Sequence, residues 1–256
     1  MANRPFVFPF LRGLYAASEL EVDILNERLN EYLGCSFDDL RETRTNSTTM
    51  EQVLVKPDGT EERVPYHYVA SIGPGPRSIL WGWQLALDAG RRDPVADEIR
   101  EYGRYNGIDG LCTPEVEFPP GFDHVDDDSE RQYLAHELGV ATTAILHQPY
   151  FTFAAGRGSF KVVVLDLPLR PITFADLGSV PRYLEENPNM MNEQAAVRGF
   201  AESQGWTVKE PVPPRLVISE SEPATDDNSY TIDFTLSGRL FSFTKDLPTR
   251  PCAATM

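Results

Sequence analysis

Apolar residues recur at every second position through residues 78–84, which is the spacing of a β-strand. Ile79, Trp81 and Trp83 share one face of this predicted strand, because side chains along a strand point alternately to its two sides. Two tryptophans on one face bury a large apolar area, so we expect Trp81 and Trp83 in the structural core. Gly82 between them leaves space for another backbone or a ring. The pattern predicts the central strand of the main sheet.

Helical and strand periods alternate over residues 18–167. A stripe spaced by three or four residues predicts a helix over residues 18–33, with Ser18 and Glu21 as its capping box and Gly34 as its C-terminal cap. Asp93 followed by Pro94 marks the start of a second helix. A third helix precedes Pro149, with Leu134, Leu138, Ala141 and Ile145 facing inward. Strands are predicted over residues 50–55, 63–72, 111–118, 150–154 and 159–167.

Strand pairs separated by helices, with turns of hairpin length, predict an α+β fold with a mainly antiparallel sheet of hairpins and packed helices. We place this main domain at residues 1–167. Prolines recur beyond it, around two helical patterns near residues 173–186 and 191–204 and a last hairpin over 230–236 and 239–244. We expect residues 168–256 to be a proline-rich extension or a small subdomain wrapping the first, and we slightly favour an extension of the first sheet.

The charge balance restricts the class of partner. The 256 residues have a formal net charge of −16, from 39 acidic and 23 basic side chains. A chain this acidic does not suit a nucleic-acid backbone or an anionic membrane, which attract clustered Lys and Arg. A basic protein partner is compatible with it, although an acidic composition is also typical of a soluble surface. Cys35, Cys112 and Cys252 have no paired spacing, so we expect a reducing cytoplasm.

Three short strings of residues carry a family resemblance. Leu80-Trp81-Gly82-Trp83 follows a glycine-bearing loop, Ile99-Arg100-Glu101-Tyr102-Gly103 follows it, and Asn106-Gly107-Ile108 precedes an acidic stretch and its helix. Together they resemble a family of uncharacterised bacterial proteins, a domain of unknown function, with a Trp-x-Trp strand and an Arg-x-x-Gly helix end. The similarity covers residues 50–165. It implies a bacterial cytoplasmic setting and supplies no catalytic or binding residue.

The histidines do not form a recognisable metal site. His136-Glu137 begins like a zinc-hydrolase helix, but Val140 stands where the second ligand would be. His147 is eleven residues further, about 16 Å along a helix, which is too far to share one metal ion. We therefore expect no metal-binding histidine and no cofactor. His67, His124, His136 and His147 are predicted to be exposed or locally hydrogen-bonded.

The densest run of acidic residues lies in residues 123–130. Its carboxylates could cap the next helix, dock a basic partner, or gather around Mg²⁺ or Ca²⁺, although the spacing does not fit an EF-hand. These candidate residues are Asp123, Asp126, Asp127, Asp128 and Glu130.

Two functional hypotheses remain open from the sequence. Signatures of serine hydrolases, phosphate-binding loops and dinucleotide-binding loops are absent from the chain. The leading hypothesis is therefore a non-enzymatic protein-binding module, in its sharpest form an inhibitor or immunity-type protein for a basic toxin or nuclease. The alternative is a small hydrolase or metal-dependent enzyme that uses the acidic stretch together with a nearby histidine.

Overall fold

The protein is seen in a computed structural model that describes residues 8–73, 77–88, 90, 93–119, 128–188, 190, 192–220 and 229–246. The chain divides into two compact units, Met1–Arg170 and Pro171–Met256, close to the predicted boundary. The fold is α+β, as the sequence predicts, and each unit has an antiparallel sheet of its own.

The first unit contains five helices and seven strands within its described residues. The helices are α1 (Leu11–Leu33), α2 (Gly82–Asp88), α3 (Pro94–Asn106), α4 (Asp109–Cys112) and α5 (Asp128–Leu146). The strands are β1 (Glu42–Asn46), β2 (Glu51–Val55), β3 (Glu61–Gly73), β4 (Ser78–Trp81), β5 (Glu115–Glu117), β6 (Tyr150–Ala154) and β7 (Phe160–Leu165). A short 3₁₀ helix, Phe37–Asp39, follows α1.

Strand β3, and not the tryptophan strand, is the centre of this sheet. The order is β1-β2-β3-β4-β5, with β7 pairing with β3 and β6 pairing with β7. The predicted hairpins β2–β3 and β6–β7 are both formed. The tryptophan strand β4 ends at Trp81, and α2 begins at Gly82. The prediction that Trp81 and Trp83 lie on one strand face was therefore wrong, although both are buried, at 0% and 3% exposure.

A β-bulge in β3 explains where the tryptophan strand ends. The pairing of β3 with β7 shifts between Tyr68 and Ala70, so that Val69 is an extra residue and its side chain joins the buried set. Gly82 lies directly against this point. A Cβ added to Gly82 would be 1.8 Å from the carbonyl oxygen of Tyr68. The close approach of another backbone that Gly82 predicts is therefore present, and no larger residue fits there without a backbone shift.

Helix α1 begins seven residues earlier than the sequence pattern predicts. The predicted capping box is wrong, because Ser18 and Glu21 lie inside α1, where both are fully buried. The Ser18 hydroxyl donates to the carbonyl of Leu14. The predicted C-terminal end is correct: Gly34 has φ 71° and donates its N–H to the Asn30 carbonyl. Glu21 is thus a carboxylate in the helix interior.

The described residues of the first unit form two apolar cores. One is built around Trp81, Trp83 and the inward face of α5, with the first turns of α1. The other contains the end of α1, Leu54, Val64 and Tyr66, with the half-buried rings of Phe151 and Phe153. β7 serves both cores, since Val162 and Val164 belong to the first and Val163 and Leu165 to the second. This alternation is why β7 is apolar at nearly every position.

The second unit has a four-stranded antiparallel sheet with helices. Its strands are β8 (Thr207–Lys209), β9 (Arg215–Ser219), β10 (Ser229–Phe234) and β11 (Leu240–Asp246), in the order β11-β10-β9-β8. The helices are a 3₁₀ helix (Phe174–Ser179), α6 (Val180–Glu186) and α7 (Glu193–Ser203). The predicted last hairpin is formed. Within the described residues these four strands pair with one another, so the favoured extension of the first sheet is not what they form.

Candidate functional site

The acidic stretch lies mostly outside the described residues. Asp123, Asp126 and Asp127 fall in the undescribed range 120–127, and Asp128 is the first residue of α5. Glu130 is half-buried in the first turn of that helix. The three interpretations of this stretch therefore stay predictions, and its described neighbours are the part that can be analysed.

Strand β5 presents two exposed carboxylates immediately before the acidic stretch. Glu115 and Glu117 are exposed, while Val116 between them packs against the first core. The Ser78 hydroxyl donates to Glu115 Oε1 at 2.6 Å. Neither glutamate has a cationic partner within the described residues, and β5 pairs with β4 along one side. This edge of the sheet therefore has unneutralised negative charge.

The buried charges of α5 do not contribute to that surface. Arg131 is 3% exposed and Glu137 is 1% exposed. Both residues lie outside the segment from Glu115 to Glu130, which contains seven acidic residues and no Lys or Arg. One is basic and the other is acidic, so leaving them out does not change the net charge counted over residues 115–137.

A second polar group links α1 to the end of α5. His147 follows the last turn of α5 with φ 52°, and its N–H donates to the Thr143 carbonyl at 3.0 Å. Its ring Nδ1 donates to the buried Glu21 Oε1 at 2.8 Å. The hydrogen bond to Glu21 raises the pKa of His147, and burial of the ring opposes that rise. The pair links the buried Glu21 side chain of α1 to the residue that follows α5.

His136 lies near the middle of α5, in contact with two tyrosines. The Tyr150 hydroxyl and His136 Nδ1 are 2.6 Å apart, and the Tyr15 ring packs edge-on at 6.5 Å between centroids. Burial lowers the pKa of His136 and raises the pKa of both phenols. The Tyr150 ring lies so close to Gly139 that an added Cβ would be 2.1 Å away. Phenols held in the neutral form are poor nucleophiles and bases, so this group is suited to packing and hydrogen bonding.

His67 and Asp93 form the remaining described pair. His67 Nδ1 lies 3.0 Å from Asp93 Oδ1, and the same oxygen accepts the amides of Val95 and Ala96 at the start of α3. The hydrogen bond raises the pKa of His67, while burial opposes it. Burial favours the neutral form of Asp93, but the bonds to His67 and to the two amides hold its pKa below the ordinary value. Asp93 therefore caps α3, as predicted, and also fixes a histidine of β3.

The three described histidines are hydrogen-bonded: His67 to Asp93, His136 to Tyr150 and His147 to Glu21, while His124 lies outside the described residues. The prediction that no histidine binds a metal ion stays a prediction. Across the described ranges, no three His, Cys, Asp or Glu side chains come together in a way that could hold a metal ion. Sequence spacing could not have found these partners, because Glu21 and His147 are 126 residues apart.

Several residues of the family resemblance pack together with Gly110 and Phe10. The Trp81 indole N–H donates to the Gly110 carbonyl at 2.9 Å, and Gly110 lies against the Phe10 ring. Gly103 lies so close to Leu111 that an added Cβ would be 2.6 Å from its Cβ. The Arg100 guanidinium carbon is 5.1 Å from the centre of the Trp83 ring. We call Trp81, Gly82, Trp83, Gly103 and Gly110 the tryptophan–glycine region.

Comparison with known proteins places this fold in a family. Residues 20–168 match the model of a family of unknown function, DUF6882. The chain belongs to that family. The match confirms membership of a domain of unknown function and extends the matched region to most of α1. Bacterial origin and the Trp-x-Trp strand as a family motif stay predictions. No curated protein and no solved structure matches the chain.

In the described part of the chain, none of the helices has the length and the apolar composition that crossing a bilayer requires.

Cys35 and Cys112 are both free thiols, and Cys252 is not among the described residues.

Proposed function

We propose that the chain is a non-enzymatic module that binds a basic protein partner. The proposed docking surface is the edge of β5 together with the acidic residues that follow it, and we call this surface the acidic edge. The observation that carries the proposal is the absence of Lys and Arg from Glu115 to Glu130, which contains seven acidic residues. Capping α5 requires one or two of these charges. The others repel one another and do not stabilise the fold.

The described glutamates of β5 support the proposal. An edge strand offers a free row of backbone groups, and exposed charges such as Glu115 and Glu117 discourage pairing with neutral strands. Those charges become favourable when a basic surface approaches. Because exposed charges act mainly at long range, such a surface raises the association rate, and added salt reduces the effect.

An inhibitor or immunity-type role is the specific form of this proposal. A toxin or nuclease that acts on a nucleic-acid backbone needs a basic surface, and an acidic protein can cover that surface. The overall net charge of −16 also favours attraction of a basic protein to this chain.

The test compares two variants with the same loss of charge. Asp126→Asn, Asp127→Asn and Asp128→Asn remove three of the seven negative charges of the acidic edge. Asp38→Asn, Asp39→Asn and Glu185→Gln remove the charge of three exposed carboxylates elsewhere. Each full-length protein is immobilised and exposed to soluble proteins of the source organism, and the retained proteins are quantified by mass spectrometry.

We expect a basic protein that the wild type and the second variant retain and that the first variant loses. Equal retention by all three proteins would overturn the proposed docking surface. Retention of acidic or neutral proteins alone would overturn the proposed class of partner.

A further inference from the structure

Exposed apolar side chains collect at one end of the second sheet. Of the five large apolar residues that are exposed within the described chain, three belong to this unit: Val212 at 65%, Leu236 at 98% and Phe241 at 77%. Isolated exposed apolar residues are ordinary on a protein surface, whereas a group of them indicates an interaction site.

The pairing of the strands brings these three residues to the same end. Arg215, at the start of β9, pairs with Asp233, and Phe234 at the end of β10 pairs with Leu240 at the start of β11. Val212 lies in the turn just before β9, where its carbonyl accepts the Arg215 amide at 2.9 Å. Leu236 lies in the turn from β10 to β11. We call Val212, Leu236 and Phe241 the apolar end.

Phe241 is exposed because the β10–β11 pairing is irregular. Asp233 pairs with Ser242 and Phe234 with Leu240, so Phe241 has no opposite residue. An extra residue of this kind turns its side chain away from the regular alternation. Phe243, two residues on, instead packs against the buried Tyr230 ring at 5.1 Å between centroids. The bulge therefore directs one aromatic ring of β11 outward.

The turn that carries Leu236 is bonded to the start of α7. The Leu240 amide donates to the Glu193 carboxylate at 2.6 Å, and the Arg239 guanidinium pairs with the same carboxylate. The Gln194 amide at the start of α7 donates to the Gly238 carbonyl at 3.2 Å. An apolar residue on a turn fixed in this way loses little conformational freedom on binding.

The charges around the apolar end neutralise one another. Arg215 pairs with Asp233 at 2.6 Å, Arg239 pairs with Glu193, and Arg198 pairs with Glu210. This surface is therefore locally balanced on a chain whose net charge is −16. Two copies of the chain repel one another over most orientations, but they can meet at a balanced apolar surface without bringing unpaired like charges together.

We propose that the apolar end is a self-association surface that binds the same surface of a second copy of this chain. A twofold contact between identical surfaces is the commonest way in which a soluble protein forms a closed oligomer. In that contact Phe241 and Leu236 of one copy are buried against those of the other, and the charge pairs lie at the rim. This interface is separate from the acidic edge and does not depend on it.

The experiment measures the mass of the full-length protein in solution by sedimentation equilibrium over a range of protein and salt concentrations. The variant is Leu236→Ser with Phe241→Ser, and the control is Tyr105→Ser, which removes a single ring that is 91% exposed in the first unit. Thermal unfolding of each variant checks that the fold is retained.

We expect the wild type and the control to form dimers and the double variant to be monomeric. Added salt should strengthen the dimer, because it screens the repulsion between two acidic chains, whereas it should weaken binding of a basic partner. A wild type that stays monomeric, or a dimer that the double variant retains, would overturn this proposal and leave the acidic edge unaffected. A dimer that salt dissociates would show an ionic interface and would also overturn it.

Discussion

The tryptophan–glycine region and the acidic edge include neighbouring strands of the same sheet, but one is buried and tightly packed and the other is exposed and charged. β4 carries Trp81 into a core where its ring is fully buried, while the adjacent β5 presents Glu115 and Glu117 to solvent. The first region depends on contacts at atomic distance, since Gly82, Gly103 and Gly110 each lie against a neighbour that leaves no room for a Cβ. The role proposed for the second rests on charge, which acts over several ångströms and needs no fixed geometry.

Trp81, Gly82 and Gly103, on which we base the resemblance, are packing residues, and their replacement would disturb the first unit. The proposed docking surface would instead depend on its total charge, since exposed carboxylates act mainly at long range. Packing variants and charge variants should therefore have effects of very different kinds.

The largest expected effect is that of Gly82→Ala. The new Cβ would lie 1.8 Å from the Tyr68 carbonyl oxygen, so the β3 bulge and the start of α2 must separate. We expect a loss of at least about 3 kcal/mol in the free energy of unfolding, or an insoluble protein. Urea unfolding followed by circular dichroism measures it.

Gly13→Ala is the matched control for this substitution. Gly13 is exposed on α1 and has nothing within 4 Å of an added Cβ, so alanine should stabilise the protein by about 0.5–1 kcal/mol through helix propensity. Wild-type stability in Gly82→Ala would show that the contact at the bulge is not required.

Trp81→Ala should be nearly as damaging. Removing a fully buried indole leaves a large cavity, and we expect a cost of about 3–5 kcal/mol. Trp81→Phe keeps most of the apolar volume but loses the hydrogen bond to the Gly110 carbonyl, so it should cost less, about 1–3 kcal/mol. Thermal unfolding ranks the two variants, and a soluble Trp81→Ala protein with an unchanged Tm would contradict a structural role for the ring.

The Glu21–His147 pair should make stability depend on pH in a defined direction. Because the folded state raises the pKa of His147, the pair stabilises the fold fully below the ordinary histidine pKa of about 6.5. That stabilisation is lost as the pH rises through the higher folded-state pKa. The amount should stay below about 1 kcal/mol, since 44% of the His147 side chain is exposed.

The measurement for this pair is the free energy of unfolding from pH 5 to pH 9, roughly the range in which histidine titrates. His147→Gln should flatten the decline, and a His67→Gln variant separates the contribution of the His67–Asp93 pair, which acts in the same direction. An unchanged pH profile in His147→Gln would show that the pair does not titrate as described.

The smallest effect on stability is expected at the acidic edge. Glu115→Gln with Glu117→Gln changes exposed side chains without ion pairs in the described residues, so the free energy of unfolding should change by no more than about 0.5 kcal/mol. A large destabilisation would mean that these carboxylates support the fold. It would contradict the difference between the acidic edge and the tryptophan–glycine region.

Local patterns in the sequence are sufficient for much of the fold. The Asp93 cap, the Gly34 helix end and the two predicted hairpins, β2–β3 and β6–β7, depend on neighbouring residues, and each is present. The prediction that the strand continues after Trp81 was wrong because the β3 bulge and Gly82 favour the start of a helix over a longer strand. This is an effect of tertiary structure. The same limit concealed the Glu21–His147 pair, whose members come together only when α1 packs against α5.

The most direct test of the account is the association rate of the basic protein retained by the wild type, measured against salt concentration. The Asp126→Asn, Asp127→Asn, Asp128→Asn variant should associate at least about tenfold more slowly at low salt and show a weaker salt dependence. The Asp38→Asn, Asp39→Asn, Glu185→Gln variant should differ far less from the wild type. An unchanged rate and salt dependence in the first variant would contradict docking at the acidic edge.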